Sequence, residues 1–140
     1  MAETMRAYQI TAWGEPAEYR EVPVPEPGPG QVLVKVAGVG LCHTDELFLN
    51  AQPGMLPYEL PFTLGHEIAG RVAKYGPGTP RDVPLVGTPV IVYASSPCGQ
   101  CVSCRAGAEN ICVNTWRGRG YGADGGLAEY VLVDNLAHIV

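Results

Sequence analysis

Glycine and proline interrupt this sequence so often that no long helix has room to form. The chain carries 18 glycines and 13 prolines in 140 residues, and both types weaken helix interiors. Between them lie short, valine-rich apolar runs with little helical period, the pattern of a domain built from strands. The runs place strands at Arg6 to Ile10, Tyr19 to Val24, Val32 to Val39, Ile68 to Tyr75, Val90 to Ala94, Leu127 to Val133 and His138 to Val140. Turns fall in stretches such as PVPEPGPGQ and YGPGTP. Two short helices are expected: one after Cys42, with Thr44 or Asp45 capping ELFLN, and one over Val102 to Gly107. The expected fold is mainly β, a barrel or sandwich whose loops carry the sites.

A chain of this length makes about one domain and buries roughly two thirds of its unfolded surface. The formal charge is -5 with no run of lysines or arginines. That leaves no electrostatic footprint for gripping phosphates, so nucleic acid is not an expected partner. The opening MAETMRAYQI has neither the basic start nor the apolar stretch of a secretory signal. No run of about eighteen apolar residues exists to span a membrane. A soluble, cytoplasmic protein is the default, and there thiols stay reduced.

Four of the five cysteines stand in PCGQCVSCRAGAENIC. Cys98, Cys101, Cys104 and Cys112 follow the spacing C-x2-C-x2-C-x7-C, and four thiolates at about 2.3 Å make a closed tetrahedral zinc site. Two disulfides, an iron–sulfur cluster or separate thiols are the alternatives that spacing leaves open. The reducing compartment favours a metal, and zinc among metals. A fully coordinated ion has no open position, so this site is structural and the lobe at about 95–115 is a staple.

The fifth cysteine, Cys42, opens GLCHTDELF after one strand, and His66 sits in LPFTLGHEIAG before another. A lone cysteine or histidine is ordinarily a core residue. Here polar neighbours follow Cys42, and His66 adjoins Glu67 between Gly65 and Gly70. Asp45 and Glu67 have the chemistry to orient an imidazole beside a metal.

The stretches PGPGQVLVKVAGVGLCHTD, LGHEIAGRVAKYGPG, CGQCVSCRAGAENIC and GGLAEYVLV together resemble the N-terminal, GroES-like catalytic domain of the zinc-containing alcohol dehydrogenases, within the medium-chain dehydrogenase/reductase family. The resemblance covers essentially residues 1–140. It implies a partly open GroES-like β-barrel with short helices and a zinc-binding lobe. It further implies that Cys42 and His66 are two ligands of a catalytic zinc and that Cys98, Cys101, Cys104 and Cys112 hold a structural zinc. Thr44 falls where the family places a hydroxyl that takes the alcohol proton. His43 falls where a side chain approaches the cofactor pyrophosphate, and Glu67 where a carboxylate sits beside the metal. The implied reaction interconverts alcohols with aldehydes or ketones, with NAD or NADP as hydride acceptor. Zinc with an open position lowers the pKa of a bound alcohol, and the Thr44 hydroxyl offers the departing proton a route out.

Leu47 replaces a histidine that commonly completes the family's proton relay, so proton exit is expected to use water, the cofactor ribose or another group. Thr88 and Pro89 stand where the family usually shows an acid and a base. Ala94 stands where an aromatic often lines the substrate pocket, and a roomier pocket for bulky or secondary alcohols is expected. GRGYGA, residues 118–123, fits G-x-G-x-x-A, yet no apolar strand precedes it and no long helix follows, so it reads as a loop. No dinucleotide-binding βαβ unit fits within the chain. The expectation is therefore a catalytic-domain piece of a longer, homo-oligomeric enzyme, inactive alone, with its third catalytic ligand and its cofactor domain elsewhere. A free-standing zinc-binding structural or interaction module is the other reading. A zinc hydrolase is a third, weakened by the lack of a dedicated base apart from Glu67.

Overall fold

The computed structural model describes residues 3–115 and 118–140. Strands dominate: β1 (Thr4–Ile10), β2 (Glu18–Pro23), β3 (Val32–Gly40), β4 (Phe62–Thr63), β5 (Glu67–Tyr75), β6 (Pro89–Val92), β7 (Gly118–Arg119), β8 (Gly122–Ala123) and β9 (Tyr130–Val133). The helices are α1 (His43–Leu49) and α2 (Val102–Arg105), with 3-10 turns at Glu109–Ile111 and Leu136–His138. No helix among the described residues is long and apolar enough to cross a membrane.

Two sheets carry the fold. One has the order β2-β1-β4 and the other β6-β5-β3-β9. In β5 the even positions from Ile68 to Val72 are buried and the residues between them exposed, as expected of a strand with one face on a core. Val32, Val34, Ile68, Val72, Val90, Val92, Val131 and Val133 fill that core. Branched aliphatic side chains suit it, because they pack on a pleated surface with little rotamer freedom to lose. The second core is aromatic: Phe62 stands edge-on to Trp13, Phe48 and Tyr58.

The segment from Leu127 joins the two sheets. The Tyr8 amide donates to the Leu127 carbonyl at 2.7 Å, and the Val36 amide to that of Glu129 at 2.9 Å. The same run then continues as β9 along β3, with Val34 opposite Val131. One strand thus closes one side of an otherwise open barrel.

Several sequence expectations are corrected. The first helix is capped by Cys42, not by Thr44 or Asp45; Asp45 is the third residue of that helix. The second helix ends at Arg105, short of Gly107, which has φ +77°. The expected strand His138 to Val140 is a 3-10 turn followed by a single bridge from Ile139 to Val92. The expected loop at 118–123 contains a parallel pairing of Gly118 with Gly122 and Arg119 with Ala123. β4 has only two residues and gave no periodic signal at all.

Candidate metal centres

The register of β3 and β5 brings the first centre together. Gly40, the last residue of β3, pairs with Glu67, the first of β5. Cys42 lies two residues beyond that pair and His66 one residue before it, so antiparallel geometry makes them neighbours across the strand ends. Cys42 Sγ is 3.0 Å from His66 Nε2. One oxygen of Glu67 completes a set of three groups whose ligand atoms lie within 4.8 Å of one another. Gly40 makes room for this carboxylate, since a Cβ there would overlap Glu67 Oε2.

Local structure then aims the sulfur. As N-cap of α1, Cys42 accepts from the Thr44 amide at 3.3 Å, while Asp45 Oδ2 accepts from the Cys42 amide at 2.9 Å. This is the reciprocal capping box, with a thiol in the place of a hydroxyl. The other oxygen of buried Asp45 lies 3.7 Å from His66 Nδ1. Neither of those two atoms has a hydrogen-bond partner among the described residues, although both are buried. The arrangement leaves Nδ1 facing a carboxylate and Nε2 facing the sulfur. An imidazole held this way presents its lone pair to a cation next to Cys42 and turns its N–H towards Asp45.

Thr44 sits exposed in the first turn of α1. His43 points to solvent with 92% of its side chain accessible, and its Nδ1 lies 3.3 Å from Glu46 Oε2. Leu47 is exposed on the same helix. Of the sequence-selected residues, Cys42, His66, Glu67 and Asp45 converge; His43 does not join them.

The second centre is the four-cysteine lobe. Cys98, Cys101, Cys104 and Cys112 bring their sulfurs within 4.8 Å of one another, and all are free thiols. Cys101 Sγ is 3.5 Å from that of Cys104 and 3.9 Å from that of Cys112. A tetrahedron with ligands at about 2.3 Å has edges near ~3.8 Å, so the spacing suits a zinc-sized ion. Backbone amides of Cys98, Cys101 and Cys104 donate to neighbouring sulfurs at 3.3 to 3.5 Å. Asn114 Nδ2 adds a contact to Cys98 Sγ at 3.4 Å.

This crowding divides the thiols. The Cys98 amide, first among several donors, draws the Cys112 thiol down to about 5. The Cys104 amide lowers Cys101. Desolvation, followed by the adjacent Cys101 and Cys112 sulfurs, pushes Cys104 up to about 12. Between Cys98 and Cys112 only Cys104 is buried. The lobe therefore has no apolar core of its own.

A mainly β domain with two thiol-containing clusters at its loop ends is the class of structure these observations define. Comparison with known proteins gives the family. The alcohol dehydrogenase GroES-like domain model matches residues 28–140. An alcohol dehydrogenase of Rhizobium meliloti (strain 1021) is 42% identical over 135 residues, which cover 94% of this chain and 38% of that protein. An L-threonine 3-dehydrogenase of Pyrococcus horikoshii is 41% identical over 137 residues, again with 38% of its length covered. The solved structure of a cobalt- and zinc-bound thermostable alcohol dehydrogenase from Pyrobaculum aerophilum matches with a TM-score of 0.86 at 33% identity, over 99% of this chain and 41% of that one. This chain belongs to the family of alcohol dehydrogenase GroES-like domains and has their mainly β fold. It spans about two fifths of the length of the relatives it matches.

Sequence reasoning missed two residues around the first centre. Gly40 carries no chemistry to notice, and Tyr121, whose ring stands edge-on to His66 at 6.0 Å, lies in a glycine-rich loop without a periodic pattern.

Proposed function

We propose that this chain is the catalytic-domain part of a zinc- and NAD(P)-dependent alcohol dehydrogenase that interconverts alcohols with aldehydes or ketones. The observation that carries the reading is the approach of Cys42 Sγ to His66 Nε2 at 3.0 Å beside the Glu67 carboxylate. A thiolate, an imidazole and a carboxylate are the donor types that zinc accepts.

In this reading Cys42 and His66 hold a catalytic zinc, with Glu67 at its edge, and Cys98, Cys101, Cys104 and Cys112 hold a structural one. Bound there, zinc acts as a Lewis acid on the alcohol oxygen. Asp45 holds the His66 ring and its tautomer. The Thr44 hydroxyl accepts the alcohol proton, and Leu47 passes nothing on, so water, the cofactor ribose or another group carries that proton to solvent. His43, on the solvent face of α1, meets the cofactor pyrophosphate. The reading places the protein in the cytoplasm and makes the complete enzyme a homo-oligomer. Hydride transfer is expected to need a dinucleotide-binding domain outside these 140 residues. Ala94, in place of an aromatic, widens the substrate pocket towards bulky or secondary alcohols.

Metal analysis tests the proposal. The chain is expected to bind one zinc tightly and a second more weakly. A Cys42→Ser, His66→Gln double variant is expected to lose the second alone; equal retention of both ions by that variant removes the catalytic centre and leaves a zinc-stapled structural module.

Two further outcomes follow from the geometry. Asp45→Asn is expected to weaken the second zinc by roughly 10- to 100-fold, the usual cost of losing a residue that orients a ligand, with the first unaffected. Loading the lobe is expected to release at least one proton per zinc at neutral pH. Cys104, pushed up to about 12, holds its proton in the free lobe and must give it up to coordinate, whereas Cys112, near 5, already carries charge. Affinity should therefore rise with pH through the neutral range and fall on acidification. Calorimetry in buffers of differing ionisation enthalpy reads the proton count directly, and a count of zero contradicts the assignment.

A further inference from the structure

The two centres are joined by the glycine-rich loop that follows the four cysteines. We propose that Tyr121 is a positioning residue that fixes the His66 imidazole and ties its orientation to the metal state of the four-cysteine lobe. This rests on the reading that the lobe binds zinc.

The stretch entering the lobe is held by the far side of the loop. The Arg119 amide donates to the Ala94 carbonyl at 3.0 Å, and Ser95 bridges Gly118. Arg119 Nη1 donates to the Tyr93 carbonyl at 2.9 Å, and Thr115 Oγ1 to that of Ser96 at 2.8 Å. Residues 93–96 therefore have little freedom to move unless the loop moves with them. Cys98 follows two positions later.

The other end of the loop rests on the backbone that carries His66. The Gly126 amide donates to the Gly65 carbonyl at 2.8 Å. A Cβ on Gly120 would lie 2.6 Å from Gly65 backbone atoms, and one on Gly125 would overlap the Gly65 oxygen. Only glycine fits at this separation, so the loop backbone lies directly against the segment that carries His66.

Tyr121 spans the gap between these two anchorages. Its hydroxyl is 3.2 Å from Ser95 Oγ, and its ring stands at 83° to that of His66 with centroids 6.0 Å apart. The phenol lies over Gly118, where any Cβ would collide with it. One end of the side chain is thus fastened at the lobe entrance and its ring forms a wall for the imidazole. Asp45 bounds the same imidazole through Nδ1. Binding at either centre is expected to favour the loop position that suits the other, because coupling between sites is reciprocal.

The test follows the His66 ring resonances by NMR in the intact 140-residue chain, metal-free and with one equivalent of zinc. Ultraviolet thiolate-to-metal absorption reports lobe filling independently. Filling the lobe is expected to shift the His66 signals in the unaltered chain, and to shift them less than half as far in Tyr121→Phe, which keeps the ring and loses the hydroxyl, and in Ser95→Ala. The methyl signals of Val32, Val72 and Val133, in the aliphatic core, should coincide in the metal-free proteins and show that the fold is retained. A filled lobe with an unmoved His66, or with equal shifts in both variants, overturns the proposal. A His66 shift that persists in Cys104→Ser marks direct binding at the Cys42 centre and overturns it too. Absence of the absorption band on adding zinc overturns the metal reading of the lobe as well, so the two failures are distinguishable.

Discussion

Cys104→Ser is expected to empty the four-cysteine lobe and to lower the stability of the domain by about 3 kcal/mol or more, a loss in the range reserved for structural metals and core disruption. The residues from Cys98 to Cys112 have only local backbone hydrogen bonds and their sulfurs to hold them together, with no apolar core. Cys104 alone is buried among them, while Val102 and Ile111 stand 80% and 62% exposed. A hydroxyl does not replace a thiolate as a zinc ligand. Zinc content should fall by one ion per chain, and the urea midpoint should fall with it. Val102→Ser, changed two residues away on an exposed position, should leave both unchanged. Full zinc retention by Cys104→Ser would refute the four-thiolate assignment.

Phe62→Ala is expected to cost about 3 to 5 kcal/mol, the range for removing a buried aromatic ring. Phe62 is 2% exposed, and its ring meets Trp13, Phe48 and Tyr58 at centroid distances of 6.1 to 6.2 Å. Phe48 lies on α1, so the cavity would loosen the helix whose first residues aim Cys42 and Asp45. The second zinc should weaken while the lobe keeps its own. Denaturant titration gives the stability change, and metal titration separates the two centres. A loss below ~1 kcal/mol would mean that the aromatic cluster closes over the gap.

How much of this was legible beforehand depends on whether the signal was periodic or contextual. The core strands announced themselves, because Val32, Val34, Val72 and Val131 alternate with more exposed neighbours or stand in dense aliphatic runs. The four-cysteine spacing likewise needs only local chain geometry. Cys42 and His66 were recognisable as residue types, but their meeting depends on the pairing of Gly40 with Glu67, which no local pattern specifies. The helix cap was misassigned because sulfur is a weak acceptor and cysteine is not among the preferred caps. The C-terminal run AHIV has strand-like residues, yet Asn135 accepts from the Ala137 amide at 2.9 Å and bends the chain into a 3-10 turn. Propensity lost there to a side chain competing for the backbone. β4 was invisible, since a two-residue strand is too short to show alternation. Tyr121 was missed for a related reason: its partners come from segments far apart in the chain, and glycines around it erase any pattern.

The capping of α1 by Cys42 has a consequence for how such a centre is assembled. Folding the helix already commits the sulfur to a direction, through the Thr44 amide and the Asp45 carboxylate. An arriving ion meets a donor whose rotamer has been chosen in advance, and little orientational entropy is left to lose on capture. The same economy sets a limit: any change that re-aims this thiol must also redesign the start of a helix.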